Sequence, residues 1–257
     1  MIDITKQHIL TTLSKGSRED ERAFTAYRPI TVEYGISPKS AEGSARVTIG
    51  KTEVVVGIKL EIASPFPDRP DEGTIIVNAE LLPLSNPEFE SGPPSVEAIE
   101  LSRVVDRAIR EGKALDFKKL SITPGEKAWI VLIDIYPIND DGNLFDAAAL
   151  GSIAALKNAK FPKVEDDKIS YGHLTNQSLP LEQLPISCTV LKIGDSFLVD
   201  PLNSEEGQMD ARLTIGCLED GNICALQKGG NAGLTIQDVE KMVEIAQEKT
   251  QELRRHL

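Results

Sequence analysis

The chain has few of the residues that build most metal, redox and covalent-catalytic sites: three cysteines, three histidines and one tryptophan in 257 residues. Cys188, Cys217 and Cys224 match no zinc spacing and are too few for a disulfide framework. Cys217 and Cys224 stand symmetrically about Asp220-Gly221, so a hairpin there would set them opposite each other. Reduced, buried thiols are the simpler expectation. His8, His173 and His256 are scattered, and no nucleophile–histidine–acid set or zinc cluster can be assembled from them. No apolar run approaches the ~18 residues that a membrane span requires. The start, Met1-Ile2-Asp3-Ile4-Thr5-Lys6, lacks a secretory pattern, and the expected location is cytoplasmic. Basic charge is also scarce. With 28 Lys and Arg against 40 Asp and Glu, the net charge of −12 argues against indiscriminate binding to nucleic acid or anionic membrane.

That scarcity singles out Arg103, Arg107 and Arg110, the only concentrated basic stripe. Offsets of four and seven return to nearly one side of a helix, and Ser95–Gly112 reads as that helix. Ala98, Leu101, Val105, Ala108 and Ile109 fall opposite, on the face that should bury. The guanidinium groups are expected to point outward together, towards solvent or an anion. Ordinary surface pairing is the alternative, since Asp106 precedes Arg110 by four residues and Glu100 precedes Arg103 by three.

Elsewhere the pattern mixes helices and strands. Asp3 can cap a helix over 4–14, stopped by Gly16. Thr52–Ile62 alternates as a strand after a turn at Gly50-Lys51, and Thr74–Leu81 is a second strand. The loop Pro83–Pro94 leads into the arginine helix. Trp129–Ile135, almost wholly apolar, predicts a central buried strand, and Leu144–Lys157 an alanine-rich helix. Hairpins are expected at Gly194-Asp195 and Asp220-Gly221, and a helix over 236–254 capped by Thr235. The similarity of Ile49-Gly50-Lys51-Thr52 to Ile193-Gly194-Asp195-Ser196 suggests two related α+β halves, about 1–120 and 121–257, packed as one domain.

Two further constellations carry chemistry on paper. Gly50-Lys51-Thr52 imitates the end of a P-loop, but Ala45 replaces the required glycine and a strand follows instead of a helix. Asp200, Glu205, Glu206 and Asp210 could hold a divalent metal or act as acid and base, with a solvated acidic loop as the plain alternative.

Taken together, several segments resemble the ribonuclease PH family, and within it the non-catalytic ribonuclease-PH-like subunits of archaeal exosome rings. They are Arg28-Pro29-Ile30, Gly43-Ser44-Ala45 leading to Gly50-Lys51-Thr52, Asp71-Glu72-Gly73, and the run from Leu84 to Pro94 continuing into Glu100–Arg107. Asp141-Gly142 before the alanine-rich helix, and Val199-Asp200-Pro201 with Glu205-Glu206, complete the set. The resemblance implies a ribonuclease PH-like α+β fold along the whole chain. It also implies a role in phosphorolysis, in which phosphate cuts the 3′ end of RNA.

Active members build an anion pocket from a Gly-Gly-Thr-Arg or Gly-Ser-Arg run after the aspartate that here is Asp141. This chain reads Asn143-Leu144-Phe145-Asp146 there, with Leu144 at the hydroxyl position, Phe145 at the arginine position and Asp146 adding negative charge. No Lys or Arg lies between Arg69 and Arg103. Asp210 matches a carboxylate of the active pattern, with Glu206 before it. By resemblance the chain is inactive alone and needs no cofactor or metal. It would alternate with a catalytic ribonuclease-PH-like subunit in a hexameric ring, carry RNA-binding cap proteins, and clamp single-stranded RNA through Arg103, Arg107 and Arg110. The rival expectations are an active phosphate-dependent 3′-to-5′ exoribonuclease and a small-molecule enzyme using metal at the Asp200 loop.

Overall fold

A computed structural model describes residues 4–165 and 168–257. The proposed cap, Asp3, lies outside the described residues. The strands are β1 (Ile30–Tyr34), β2 (Gly43–Ile49), β3 (Thr52–Ala63), β4 (Thr74–Ala79), β5 (Ser121–Thr123), β6 (Lys127–Asn139), β7 (Lys160–Glu165), β8 (Lys168–Ser178), β9 (Ile186–Ile193), β10 (Ser196–Val199), β11 (Ala211–Cys217) and β12 (Ile223–Gly229). The helices are α1 (Ile4–Ser14), α2 (Val96–Glu111), α3 (Leu144–Asn158), α4 (Asn203–Glu206) and α5 (Ile236–Arg254).

One sheet runs β1-β2-β3-β6-β4, with β5 beside β6, and another runs β10-β9-β11-β12; β7 and β8 form a separate hairpin. The alternation in β3 buries Val54, Val56, Ile58 and Leu60 completely. β6 is central, as expected, lying antiparallel to β3 and parallel to β4. Its apolar sequence does not mean burial on both faces, however. Val131, Ile133 and Ile135 are buried, while Ile130, Leu132 and Asp134 lie on a half-open face. The proposed division at 120/121 also fails, because β6 completes the sheet begun by β1. The first sheet therefore extends to Asn139.

α3 is buried continuously from Asp146 to Leu156. A helix apolar all round belongs between layers. Its small side chains allow that approach, and a Cβ on Gly151 would already stand 3.0 Å from Val56 Cγ2. β9 is covered on both faces. α5 supplies Met242, Ile245 and Ala246 against Cys188 and Val190, and α1 supplies Ile9 and Leu13 against Leu191 and Ile193. The hairpin turns at Gly50 and Gly194 share a left-handed backbone, with φ of 59° and 58°. Cys217 and Cys224 are not opposed. A bulge at Gly216/Cys217 pairs Cys217 with Ile223, and all three cysteines are free thiols.

Candidate nucleic-acid interface and the neighbouring pocket

α2 begins where sequence chemistry requires. Ser95 Oγ accepts the Ala98 N–H at 3.2 Å, and Gly112 ends the helix. The five residues expected to bury do so, joined by Val104. Arg103 and Arg107 are exposed, and neither has an ion-pair or hydrogen-bond partner among the described residues. Arg110 is not equivalent to them. Its Nη2 donates to Asp106 Oδ1 at 2.8 Å and to the Ile75 carbonyl at 3.1 Å, which holds it half-buried against β4. The expected Glu100–Arg103 pair is absent, because Glu100 instead meets Arg212 Nη2 at 2.7 Å. All three stripe arginines line one groove of about 860 Å³ between α2 and β4.

A second pocket, of about 350 Å³, lies at the start of α3. Leu144 and Phe145 line it with Glu97, Glu100, Asp140, Glu206 and Arg212. Four carboxylates thus face a single guanidinium, which is itself engaged with Glu100 and lies 4.2 Å from the Phe145 ring centroid. Such a lining repels an inorganic anion.

Asp146, expected beside that pocket, is turned away from it and fully buried. The Tyr27 hydroxyl stands 2.7 Å from its Oδ2 and 3.3 Å from Cys188 Sγ. Burial raises the Asp146 carboxyl to about 7, against the opposing hydrogen bonds of Tyr27, Thr189 and Asn143. Its position in the inward-facing first turn of an all-buried helix decides this, so Leu144 and Phe145, not Asp146, line the pocket. Asn143 caps α3 in the left-handed region at φ 65°, its N–H donating to Glu206 Oε1 at 2.8 Å. Glu206 is also raised to about 7, by burial first and then by nearby Asp140.

Glu206 and Asp210 do not act as a pair. Asp210 receives Lys6 Nζ and the Gly194 N–H, each at 2.7 Å, and Lys6 among others holds its carboxyl below the usual range despite partial burial. The wider acidic cluster is not a solvated loop, and no group of three or more His, Cys, Asp or Glu placed to hold a metal ion occurs among the described residues. Asp200 and Glu205 are buried in ion pairs. Arg18 Nη2 meets Glu205 at 2.5 Å, and Arg28 Nη2 and Arg22 Nη1 meet Asp200 at 2.7 and 2.8 Å. Sequence reading missed these arginines' roles, although Arg28, Gly50, Asp141-Gly142 and Asp200 all stood in the resembling segments.

Those segments converge here. Arg28 Nη1 donates to the Asp141 carbonyl at 2.8 Å, and the Thr52 hydroxyl donates to the Gly142 carbonyl at 2.6 Å. Gly142 has φ 87°, and a Cβ there would lie 2.4 Å from the Pro201 carbonyl oxygen, so only glycine fits.

The sequence profile of the 3′ exoribonuclease family, domain 1, matches residues 26–162, and that of domain 2 matches residues 183–249. Exosome complex component Rrp42 of Methanothermobacter thermautotrophicus is 44% identical over 257 residues, covering 99% of this chain and 94% of the relative. The protein of that name from Pyrococcus horikoshii is 46% identical over 256 residues, covering 98% and 93%. Among solved structures, a chain of the Archaeoglobus fulgidus exosome with RNA bound to the active site superposes with a TM-score of 0.90 at 44% identity, covering 98% of this chain and 97% of that one. A chain of an archaeal exosome core gives a TM-score of 0.87 at 41% identity, covering 98% and 95%. With profile matches over most of its length and relatives at 44–46% identity along nearly the whole chain, this chain belongs to the 3′ exoribonuclease family of ribonuclease PH-like proteins.

Proposed function

We propose that this chain is the non-catalytic, RNA-positioning subunit of a hexameric exosome ring that degrades RNA from the 3′ end by phosphorolysis in the cytoplasm. It alternates with a catalytic ribonuclease-PH-like subunit, whose active site it completes, and its rim receives RNA-binding cap proteins. Alternation suits a closed ring, since each subunit must present two different faces.

One observation carries the reading: the separation of charge between two neighbouring concavities. The pocket at the start of α3 sets Glu97, Glu100, Asp140 and Glu206 against one arginine that is already engaged. In the α2 groove Arg103 and Arg107 have no partner among the described residues, while two of the three carboxylates that line it, Glu100 and Asp106, are engaged by Arg212 and Arg110. The first repels phosphate. The second attracts a polyanion, because guanidinium forks bind phosphate oxygens without reading sequence.

The test is phosphate-dependent release of nucleoside diphosphates from single-stranded RNA. The purified chain alone releases none, while the chain assembled with a partner bearing an intact phosphate site does. Release by the chain alone would establish the rival reading, an independent phosphorolytic exoribonuclease.

A further inference from the structure

Phe66 lies 61% exposed on a loop whose backbone is tied down by prolines and hydrogen bonds. Pro65 and Pro67 flank it and restrict the backbone on both sides. The Arg69 N–H closes a turn onto the Phe66 carbonyl at 3.0 Å. Beyond that turn, Gly125 N–H donates to the Pro70 carbonyl at 2.7 Å, and Gly73 N–H to the Phe117 carbonyl at 2.8 Å. The ring is thus presented to solvent on a backbone with little conformational freedom left to lose on binding.

Its location gives the exposure a use. Phe66 lines a concavity of about 430 Å³ with Arg69, Phe117, Ile75, Ile76 and Arg110. The last three also line the α2 groove, so the two are continuous. Arg110 sits at the junction, its guanidinium 5.8 Å from the Phe117 ring centroid. Charge differs along the route. At the α2 end Glu100 and Asp106 are engaged by Arg212 and Arg110, which leaves Arg103 and Arg107 against the single carboxylate of Glu111, whereas at the Phe66 end Arg69 and Arg110 are balanced by Asp68 and Glu72. A cationic stretch followed by a neutral aromatic one matches a single strand whose phosphates lie along α2 and whose base leaves the backbone to stack.

We infer that Phe66 is a stacking platform for one base of single-stranded RNA, a positioning residue at the far end of the arginine groove. This inference rests on the RNA-positioning reading above. Stacking on an aromatic face tolerates any base, as a processive exonuclease needs. It also fixes the register of the strand, which phosphate contacts alone do not.

The experiment uses the assembled ring and single-stranded RNAs carrying 2-aminopurine at successive positions. In the wild type, fluorescence is quenched at one position. Phe66→Ala relieves that quenching and weakens binding roughly tenfold, Phe66→Trp restores both, and neither changes the salt dependence of binding. Arg107→Glu lowers the salt dependence and serves as the control for the parent reading. If Arg107→Glu weakens binding while Phe66→Ala leaves quenching and affinity unchanged, the platform is overturned and the parent reading stands. If Phe66→Ala instead impairs ring assembly with quenching intact, the residue is a subunit contact and the inference is likewise overturned. No effect of Arg107→Glu on RNA binding would defeat the parent reading itself.

Discussion

Arg28 grips Asp200 with both prongs of its fork: Nη2 lies 2.7 Å from Oδ1 and Nε 2.9 Å from Oδ2, with the carboxylate wholly shielded from water. Arg28 also donates to Asp141 and Gly142, so one side chain ties the end of β10 to the turn that opens α3. Stranding one member of a buried pair costs about 3–5 kcal/mol, and the loss of Arg28 falls at or below the lower end because Arg22 and Asn143 still donate to Asp200. Arg28→Met is expected to lower the urea midpoint, with a loss of unfolding free energy of up to about 3 kcal/mol. Adding Asp200→Asn recovers part of the loss, and a double-mutant cycle measures the coupling.

The pH dependence of stability follows from the other carboxyls at this end of α3. Asp146 and Glu206 are both raised to about 7, from ordinary values of 3.8 and 4.5. Their folded forms hold protons that the unfolded chain has lost, so the stabilisation is complete below about pH 4 and disappears as pH rises through 7. Thermal unfolding at a series of pH values should show stability falling across that window, apart from contributions of other groups. Asp146→Asn, which cannot ionise, should flatten the fall and raise stability at pH 8. An unchanged profile would show that Asp146 is charged in the folded protein.

The three stripe arginines should differ in their effects. Arg103 and Arg107 have no partner among the described residues, whereas Arg110 is held by Asp106 and the Ile75 carbonyl. Replacing Arg107 by Ala in the assembled ring is expected to lower the slope of log affinity against log salt by about 0.7 for single-stranded RNA. Arg110→Ala should show a smaller change in slope together with some loss of stability. Equal slopes for both variants would contradict the distinction.

Lys113 occupies the left-handed region at φ 48°, just beyond the end of α2, where glycine is the usual residue. Its exposed side chain gains nothing visible from that backbone. Lys113→Gly should stabilise the chain by about 0.5–1 kcal/mol, read as a rise in Tm. A fall would mean that the lysine side chain makes up for the strain.

Local signals were legible where the physics is local. The Ser95 cap and 3.6-residue apolar spacing of α2, the alternation of β3, and the Thr235–Asp238 capping box of α5 all lie within a few residues of their partners. The β7–β8 hairpin was not legible. Most of its side chains are exposed, so no apolar alternation marks it. The fates of the site carboxylates were equally hidden. Arg18 finds Glu205 across 187 positions and Arg28 finds Asp200 across 172, and no spacing rule connects such residues. Asp146 misled for a related reason: its neighbours in sequence face the pocket, but a helical turn of 100° per residue carries it to the other side.

The chain's order of residues settled α2, β3 and α5 with their apolar faces, and the run Asn143-Leu144-Phe145-Asp146 after Asp141-Gly142, because each is a property of neighbouring residues. Folding in three dimensions settled which charges stay available. It buried Asp200, Glu205 and Asp146, engaged Arg110, and left Arg103 and Arg107 exposed, since burial and pairing depend on what distant segments bring alongside.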